Sequence, residues 1–381
     1  MSTDLSGLRR VLFISNGHGE DSIAAEIIRR LPRRVIAEAY PTLGSGSALA
    51  EVCRIVGPRA HLASEGWRNV KGSIGRDVAS GGLKTVWPGI KFVREAARHY
   101  DRVIVVGDMV GVAGAFVAGV RNIIYLDVYK TGYGRPYWPL ERWLIRRTAS
   151  VVFNRSETLA QSLRDKGVDA RFAGNVMMDT ISYGDYDGHS RRRAPRAVTL
   201  LPGSRQFTAE SFALQVAALR QLPRDLRPDL FLAVAGSVDP SELGRAAGLE
   251  YTGPLSHQAG DLGTLSDGDL VLNLARGAAG NLIAASDLVL SQAGTATIQA
   301  LGLGRPAITF VNPRDRSSRF ADESALFGEA RTVVPADPAA IAAALQRLLV
   351  DNAERERLAI FGRSRVGGTG AIDAIIKEIA G

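Results

Sequence analysis

The sequence predicts an α/β protein built from two doubly wound domains facing a cleft. Three observations predict it. Short, continuous runs of β-branched and other apolar residues alternate with helical stretches, the pattern of parallel strands covered on both faces. The alternation stops at 183–196, YGDYDGHSRRRAPR, which is polar, carries Gly and Pro and has no periodicity; it then restarts. In both halves a small-residue loop follows a strand. Ligands of open parallel sheets bind at the carboxyl ends of strands, so two such halves are expected to make a cleft.

The first domain is expected over 1–182. Val11–Ser15 reads as its first strand, followed by a glycine-rich turn and a helix over about Asp21–Arg30. Val35–Ala39 reads as a second strand, Gly46–Arg54 as helical and 66–82 as loop. Lys84–His99 follows as a helix, Val103–Val106 and Ile123–Leu126 as strands, and Trp138–Arg147 as a helix. Ser150–Phe153 is a strand, and Ser156 caps a helix running to Lys166. Residues 183–196 read as the linker. The second domain, 197–381, opens with strand Val198–Leu201, a helix over about Ala209–Leu219 and strand Leu230–Ala235. Strands Leu270–Leu274, Leu288–Leu290 and Ala307–Phe310 come next. Helices Pro338–Leu349, Asn352–Phe361 and Ala371–Ile379 close the chain, the last being the candidate to cross back onto the first domain.

A chain of 381 residues is long for one core, which fits two domains. No apolar run approaches the ~20 residues a membrane-spanning helix needs. The opening residues, MSTDLSGLRR, carry no apolar secretory core, so a cytoplasmic location is expected. Cys53 is the only cysteine, which excludes an internal disulfide framework and fits a reducing compartment. It reads as a small buried residue on a helix. The net charge of +8 suits anionic partners. The basic residues are mostly arginine, and no zinc-ligand spacing or nucleic-acid module accompanies them, so nucleic acid is not the expected partner.

Two loops in the second half carry phosphate chemistry. Asp287–Pro306, DLVLSQAGTATIQALGLGRP, reads as a buried strand, a small-residue turn over Ser291–Ala296 and a helix from about Thr297. Unpaired N–H groups and the helix dipole make such a start suited to phosphate. Gly294, Thr295 and Ala296 lie where that helix begins. Leu200–Arg205, LLPGSR, follows the first strand of the same half; Gly203 allows the turn, Ser204 offers a hydroxyl and Arg205 a fork for phosphate oxygens. Two such loops in one half suit a pyrophosphate ligand such as a nucleotide-sugar. Gln299 lies one turn into the second helix, within reach of a ribose hydroxyl or simply solvated.

The first half offers the reacting groups. Its first strand ends in Ser15-Asn16-Gly17-His18-Gly19-Glu20-Asp21, where the glycines let a ligand approach and His18 stands between them. Glu20 and Asp21 sit at a helix start, where carboxylates are favoured for capping alone. Val103–Val106 leads into Gly107-Asp108, an acid at the end of an apolar strand. Asp108 reads either as a general base or as the N-cap of the next helix.

Residues 82–100 place Trp87, Ile90, Phe92 and Val93 among Lys84, Lys91, Arg94 and Arg98; residues 135–147 place Tyr137, Trp138, Trp143 and Leu144 among Arg135, Arg142, Arg146 and Arg147. Basic residues among aromatics suit an anionic membrane surface. An amphipathic helix with its apolar face in the core is the competing reading. Asp185-Tyr186-Asp187 and Asp267-Gly268-Asp269 have the D-x-D form of metal-dependent transferases, but one lies in the linker and the other just precedes a strand, so no metal is expected. No P-loop is present, and Gly17-His18-Gly19 lacks the third glycine of a dinucleotide fingerprint, so no cofactor is expected.

These segments together resemble the lipid-A-disaccharide synthase family, and more closely its divergent lipid-A-disaccharide synthase-related group. Leu201–Arg205 matches the family's LPGSR loop, and Ser291–Ala300 is similar to its S-G-T-A-T-L-E-A segment, with Gln299 where the family usually has Glu. Asn16–Asp21 stands at the family's first glycine-containing loop, which is also like that of the related lipid-II-forming transferase with its Gly-flanked His. Gly107-Asp108 stands at an aspartate-bearing loop proposed to carry the base. The resemblance covers nearly the whole chain. It implies two Rossmann-like domains of the GT-B type and an inverting, metal-independent glycosyltransferase. Such an enzyme moves a hexosamine-type sugar from a UDP-sugar to a lipid-linked acceptor at the inner face of the cell membrane. It implies a donor site of Gly203, Ser204, Arg205, Ser291, Gly294, Thr295, Ala296, Thr297 and Gln299. It implies acceptor contacts at Asn16, Gly17, Gly19 and Glu20, and catalysis by Asp108 or His18. The alternatives are a UDP-sugar 2-epimerase on a similar fold, and a nucleotide-sugar or lipid binding protein without catalysis.

Overall fold

The computed structural model describes residues 8–58, 82–134, 136–203, 207–254, 256–311 and 317–381, with backbone alone at 18, 82–86, 317–319 and 322. The chain divides into two compact units. One comprises Met1–Thr180, Arg314–Asp322 and Thr369–Gly381, the other Ile181–Pro313 and Glu323–Gly368.

The first unit is organised on a seven-stranded sheet in the order β3-β2-β1-β4-β5-β6-β7. Its strands are β1 Arg9–Ser15, β2 Val35–Pro41, β3 Arg54–Ile55, β4 Arg102–Gly107, β5 Ile123–Asp127, β6 Ala149–Phe153 and β7 Ala170–Arg171. All of its pairings are parallel. Successive side chains of a strand point to opposite faces. Val11 and Phe13 of β1, with Ile104 and Val106 of β4, therefore enter one core with Ala24 and Ile27 of the helix His18–Arg30. Leu12 and Ile14, with Val103 and Val105, enter the other, against Val112, Ala115, Ile145 and Leu159 from the helices Met109–Val117, Pro139–Thr148 and Glu157–Arg164. Burial on both faces is what makes these strands read as unbroken apolar runs.

The helix expected over Gly46–Arg54 is cut to Ser47–Ala50. A turn follows, and Arg54–Ile55 pair with Glu38 and Ala39 of β2 as the edge of the sheet. Ile55 and Val56 pack into the core through this pairing, which one short helix could not give both of them. Cys53 consequently lies in a bend, half-buried, rather than on a helix. The loop expected over 66–82 falls outside the described residues except for Gly82, the first residue of the helix Gly82–Ala96.

The second unit carries an eight-stranded sheet in the order β10-β11-β12-β9-β8-β13-β14-β15. Its strands are β8 Ala197–Leu201, β9 Asp229–Ala233, β10 Glu250–Thr252, β11 Asp261–Ser266, β12 Val271–Ala275, β13 Leu288–Ser291, β14 Ala307–Val311 and β15 Arg331–Pro335. From β12 to β15 the neighbours run parallel. The pair β10–β11 is an antiparallel extension that periodicity does not announce. β11 is DLGTLS, with a glycine and only two large apolar residues, and β10 is exposed. Val198, Leu200, Leu230, Leu232, Leu288 and Leu290 build the core with Phe212, Leu219, Ile341 and Leu345 from flanking helices.

Residues 183–196 are fastened to the second sheet's own helices. Gly184 and the Asn281 side chain exchange two hydrogen bonds of 3.0 Å, Tyr186 is buried, and Arg192 donates to Ala285 O at 3.0 Å. At the other end of the chain, the helix Ala371–Ala380 lays Ile372, Ile375 and Ile379 into the first unit's core. Asp179 accepts from the N–H groups of Gly370 and Ile372, both at 2.8 Å, and so caps that helix.

Candidate functional site

Each sheet has a place where the strand order turns from descending to ascending, and helices leave neighbouring strands toward opposite faces there. In the second unit it lies between β8 and β13, paired through Leu290↔Leu200 and Ser291↔Leu201. Both phosphate-type loops of the sequence leave this point. Gly203 has φ +103, a backbone setting that favours glycine. A Cβ there would lie 3.9 Å from Gln292 O, so the two loops abut. Gln292 ties them further, with its N–H donating to Leu201 O at 2.8 Å and its Nε2 to Phe310 O at 2.8 Å. Ser204 and Arg205 lie outside the described residues.

The helix Thr295–Gly302 begins at Gly294 without a side-chain cap. Its orphan N–H groups are the donors a phosphate would use. Gly294 and Thr295 are exposed and Ala296 half-buried, so these three line the rim. Ser291 and Thr297 are both buried, and their hydroxyls meet at 2.6 Å; Thr297 also donates to Ala293 O. The Ser291 hydroxyl accepts from Ala293 N at 3.2 Å. These two shape the turn from inside. Gln299 is only 7% exposed, so it is no solvated surface residue.

In the first unit the reversal lies between β1 and β4, paired through Ser15↔Val106. Asn16 Nδ2 donates to Asp108 Oδ1 at 3.2 Å, which joins the two loops the sequence singled out. Thr42 Oγ1 is 3.0 Å from Asn16 Oδ1 and fixes the amide's orientation. Asp108 is the N-cap of Met109–Val117, accepting from Val110 N at 2.9 Å through the same Oδ1. No described residue donates to its Oδ2. Gly17 has φ +149, and a Cβ on it would lie 2.9 Å from Glu20 Oε2. A Cβ on Gly107 would lie 3.3 Å from Glu20 Cγ. Glu20 therefore folds back over the loop and reaches the side of β4. Gly19 is exposed beside it. Asp21 is buried and accepts from Ser15 Oγ at 2.5 Å, which gives it a structural task. The His18 side chain lies outside the described residues.

One rim group was not singled out in the sequence. Asp127, the last residue of β5, is buried and accepts from Tyr129 N at 3.0 Å, Lys130 N at 2.9 Å and the Tyr137 hydroxyl. Asn154 Nδ2 donates to Tyr137 Oη at 2.7 Å, and Lys130 Nζ pairs with Glu141 at 2.6 Å. Burial pushes the Asp127 carboxyl up, opposed by these bonds, and pushes Arg155 down to about 10. Residues 128–134 and 136–138 are thus clasped onto the ends of β5 and β6. An acid closing an apolar strand, LD in IIYLD, was the available signal, the same one that marks Asp108.

No family model matches the chain, and no curated protein matches it. Solved structures do. The chain is similar to the S. aureus MnaA–UDP co-structure, with 14% identity and a TM-score of 0.57 over 98% of this chain and 96% of that one. It is similar to the UDP-GlcNAc 2-epimerase of Methanocaldococcus jannaschii, with 14% identity and a TM-score of 0.52 over 97% and 99%. It is similar to the spinosyn rhamnosyltransferase SpnG complexed with thymidine diphosphate, with 15% identity and a TM-score of 0.59 over 98% and 100%. The chain has the GT-B fold. Identities this low establish the fold and leave the reaction to the residues.

Within this GT-B chain the two basic-aromatic segments show their tryptophans. Trp87 is 67% exposed, Trp138 71% and Trp143 46%, although Val93 and Ile145 of the same helices are buried. The amphipathic-helix reading thus accounts for Val93 and Ile145 and not for the tryptophans. Trp143 meets Phe116 edge-on at 5.3 Å, Arg147 stands 5.8 Å from the Trp143 ring and Arg121 4.5 Å from the Phe116 ring. Arg135 lies outside the described residues. No helix among the described residues is long and apolar enough to cross a membrane. The D-x-D pairs have structural tasks: Asp187 accepts from His189 N at 3.0 Å, and Asp267 accepts from Leu270 N at 2.8 Å within the β11–β12 turn.

Proposed function

We propose that this chain is an inverting glycosyltransferase that moves a hexosamine-type sugar from a UDP-sugar to a lipid-linked acceptor, as the lipid-A-disaccharide synthase resemblance implies. The observation that carries the reading is the second unit's reversal point. An uncapped helix start with Gly294 and Thr295 exposed abuts the positive-φ loop at Gly203, a seat for two adjoining phosphates. The likeness to structures holding UDP and thymidine diphosphate supports the same ligand class.

In this reading the second unit holds UDP, with Arg205 and the N–H groups of 294–296 on the pyrophosphate. Gln299 stands near the ribose, and Asn16, Gly17, Gly19 and Glu20 serve the acceptor. The acceptor hydroxyl attacks the anomeric carbon, its proton passes to Asp108 or His18, and the bond from that carbon to the UDP oxygen breaks with inversion. The helix start and Arg205 offset the charge growing on the departing UDP. Trp87, Trp138, Leu140 and Trp143, rimmed by arginines, would rest on an anionic bilayer that presents the acceptor. The domain limits read from the sequence, and residence on the inner face of the membrane, belong to the same proposal.

The likeness to a UDP-GlcNAc 2-epimerase favours a second reading, in which the UDP-sugar itself is converted to its C2 epimer. One incubation separates them. Labelled UDP-N-acetylglucosamine with a bacterial membrane lipid extract should give label in lipid, and without extract it should stay unchanged. Epimerised sugar in the absence of extract would establish the second reading instead; unchanged donor in both would leave a binding protein.

A further inference from the structure

The opposite edge of the second sheet, where β8, β13 and β14 begin, gathers guanidinium groups that the proposed reaction does not use. Arg192 and Arg196 precede β8, Asp287 precedes β13 and Arg305 precedes β14. Asp287 accepts from Arg192 Nη2 at 3.0 Å and from Ala197 N at 2.9 Å, and it stands 3.7 Å from Arg196 Nη1. The helix Asn352–Val366 adds Arg355 and Arg363. The Arg363 guanidinium lies over Gly304, where a Cβ would fall 1.9 Å from Nη1.

These five groups divide by their tethering. Arg192 donates to Ala285 O at 3.0 Å and Pro195 O at 2.9 Å, and Arg305 to Ala284 O at 2.9 Å. Arg355 donates to Leu349 O at 2.9 Å and to Leu348 O. Those three are fixed charges. Among the described residues the Arg196 guanidinium has only its long pair with Asp287, and the Arg363 guanidinium has no hydrogen bond or ion pair. Burial lowers the pKa of Arg305, with Asp287 opposing and Arg192 and Arg363 adding to the effect; burial and then Arg196 lower that of Arg355, with Asp287 and Asp351 opposing. Positive charge here outweighs the carboxylates that face it, and like charges held together are unfavourable until an anion joins them.

We propose that this edge of the second sheet binds a phosphate-type anion, gripped by Arg196 and Arg363 and drawn in by the fixed charges of Arg192, Arg305 and Arg355. A guanidinium fork matches phosphate oxygens two at a time, and two forks without hydrogen bonds of their own beside three anchored ones suit a doubly charged group. The site is separate from the donor loops. The five residues of β8 lie between them, a span of roughly 16 Å at ~3.3 Å per residue. The anion comes either from a free phosphate or from the phosphate of a lipid headgroup.

The test is the unfolding midpoint of the full chain in rising sodium phosphate against sodium chloride of equal ionic strength. The wild type should gain stability specifically from phosphate. Arg196→Ala/Arg363→Ala should lose that gain, with affinity down about tenfold or more. In chloride alone it should match or exceed the wild type, since repulsion has been removed. Arg363→Gln carries the test alone should the double variant misfold. Saturating UDP is present throughout, so that the donor loops are filled in wild type and variants alike and do not answer to phosphate. Flotation with phosphatidic acid vesicles separates the sources: loss in the double variant assigns the headgroup, retention assigns the free anion. A phosphate response absent from the wild type, or kept by the double variant, overturns the proposal.

Discussion

Among the described residues, the Asp108 carboxyl accepts from Asn16 and from Val110 through one oxygen, and that division decides how its variants should be read. Asparagine caps a helix about as well as aspartate but cannot take a proton. Asp108→Asn should therefore unfold at the wild-type urea concentration and bind UDP normally, while turnover falls by about 100-fold or more if Asp108 is the base. Turnover at the wild-type level would move the role to His18, whose own His18→Gln variant then carries the loss. Arg205→Ala should weaken UDP binding by about tenfold or more, as removal of a charged phosphate contact does. Unchanged affinity would remove Arg205 from the pyrophosphate. Burial, and then the charge of Glu38, push the Cys53 thiol up to about 11. The proton is held more tightly in the folded state, so the reactive thiolate forms only at strongly alkaline pH. Iodoacetamide at pH 8 should label native protein about 100-fold more slowly than unfolded protein, because so much less of the native thiol is ionised at that pH. Equal labelling rates would show that the thiol ionises as freely in the fold as in water. The residues of the candidate sites stand out in the sequence because strand ends and glycines mark them. The partners do not: that Asn16 answers Asp108, and that Ser291 answers Thr297, depends on segments the fold brings together.

At the scale of elements, the glycines of GDMVGVAGA had two meanings that sequence alone does not separate. Gly107 turns the chain at the rim with φ +140, while Gly111 lets its helix lie close on β4, for a Cβ there would fall 2.5 Å from Val105 Cγ1. Gly111→Ala should cost about 1–3 kcal/mol in urea unfolding, as overpacking does. A neutral result would mean that Val105 has room to turn away. The tryptophan-bearing helices are legible as helices, but their exposed residues emerge only from packing, because periodicity cannot say how much of an apolar face a neighbour covers. Replacing Trp87, Trp138 and Trp143 together by serine should abolish cosedimentation with phosphatidylglycerol vesicles and leave the unfolding free energy within about 1 kcal/mol of wild type, since exposed side chains contribute little to the core. Persistent vesicle binding would show that these tryptophans do not carry it, and absence of binding by the wild type would remove the membrane from the proposal. The β10–β11 extension and β15 are not legible because short, partly polar strands carry too few residues to show a period.

At the scale of the molecule, the first unit is closed by the last residues of the chain. The helix Ala371–Ala380 fills its core with Ile372, Ile375 and Ile379. Removing 369–381 should unfold the first unit, seen as loss of its amide protection, while the second unit's core residues keep theirs. Protection retained in β1 and β4 would show that the helix is dispensable. The sequence by itself determined the α/β class, the restart after 183–196 and the loops that leave β1, β4, β8 and β13, because apolar runs and glycines are local signals of local geometry. Tertiary structure alone decided which strands became neighbours. The orders β2-β1-β4 and β9-β8-β13 place each pair of loops at a reversal point, and that follows from how helices cover two faces of a sheet, which is not written in any one segment. It also decided that arginines dispersed over 192–363 gather at one edge of the second sheet, because strand starts far apart in sequence lie side by side once β8, β13 and β14 pair.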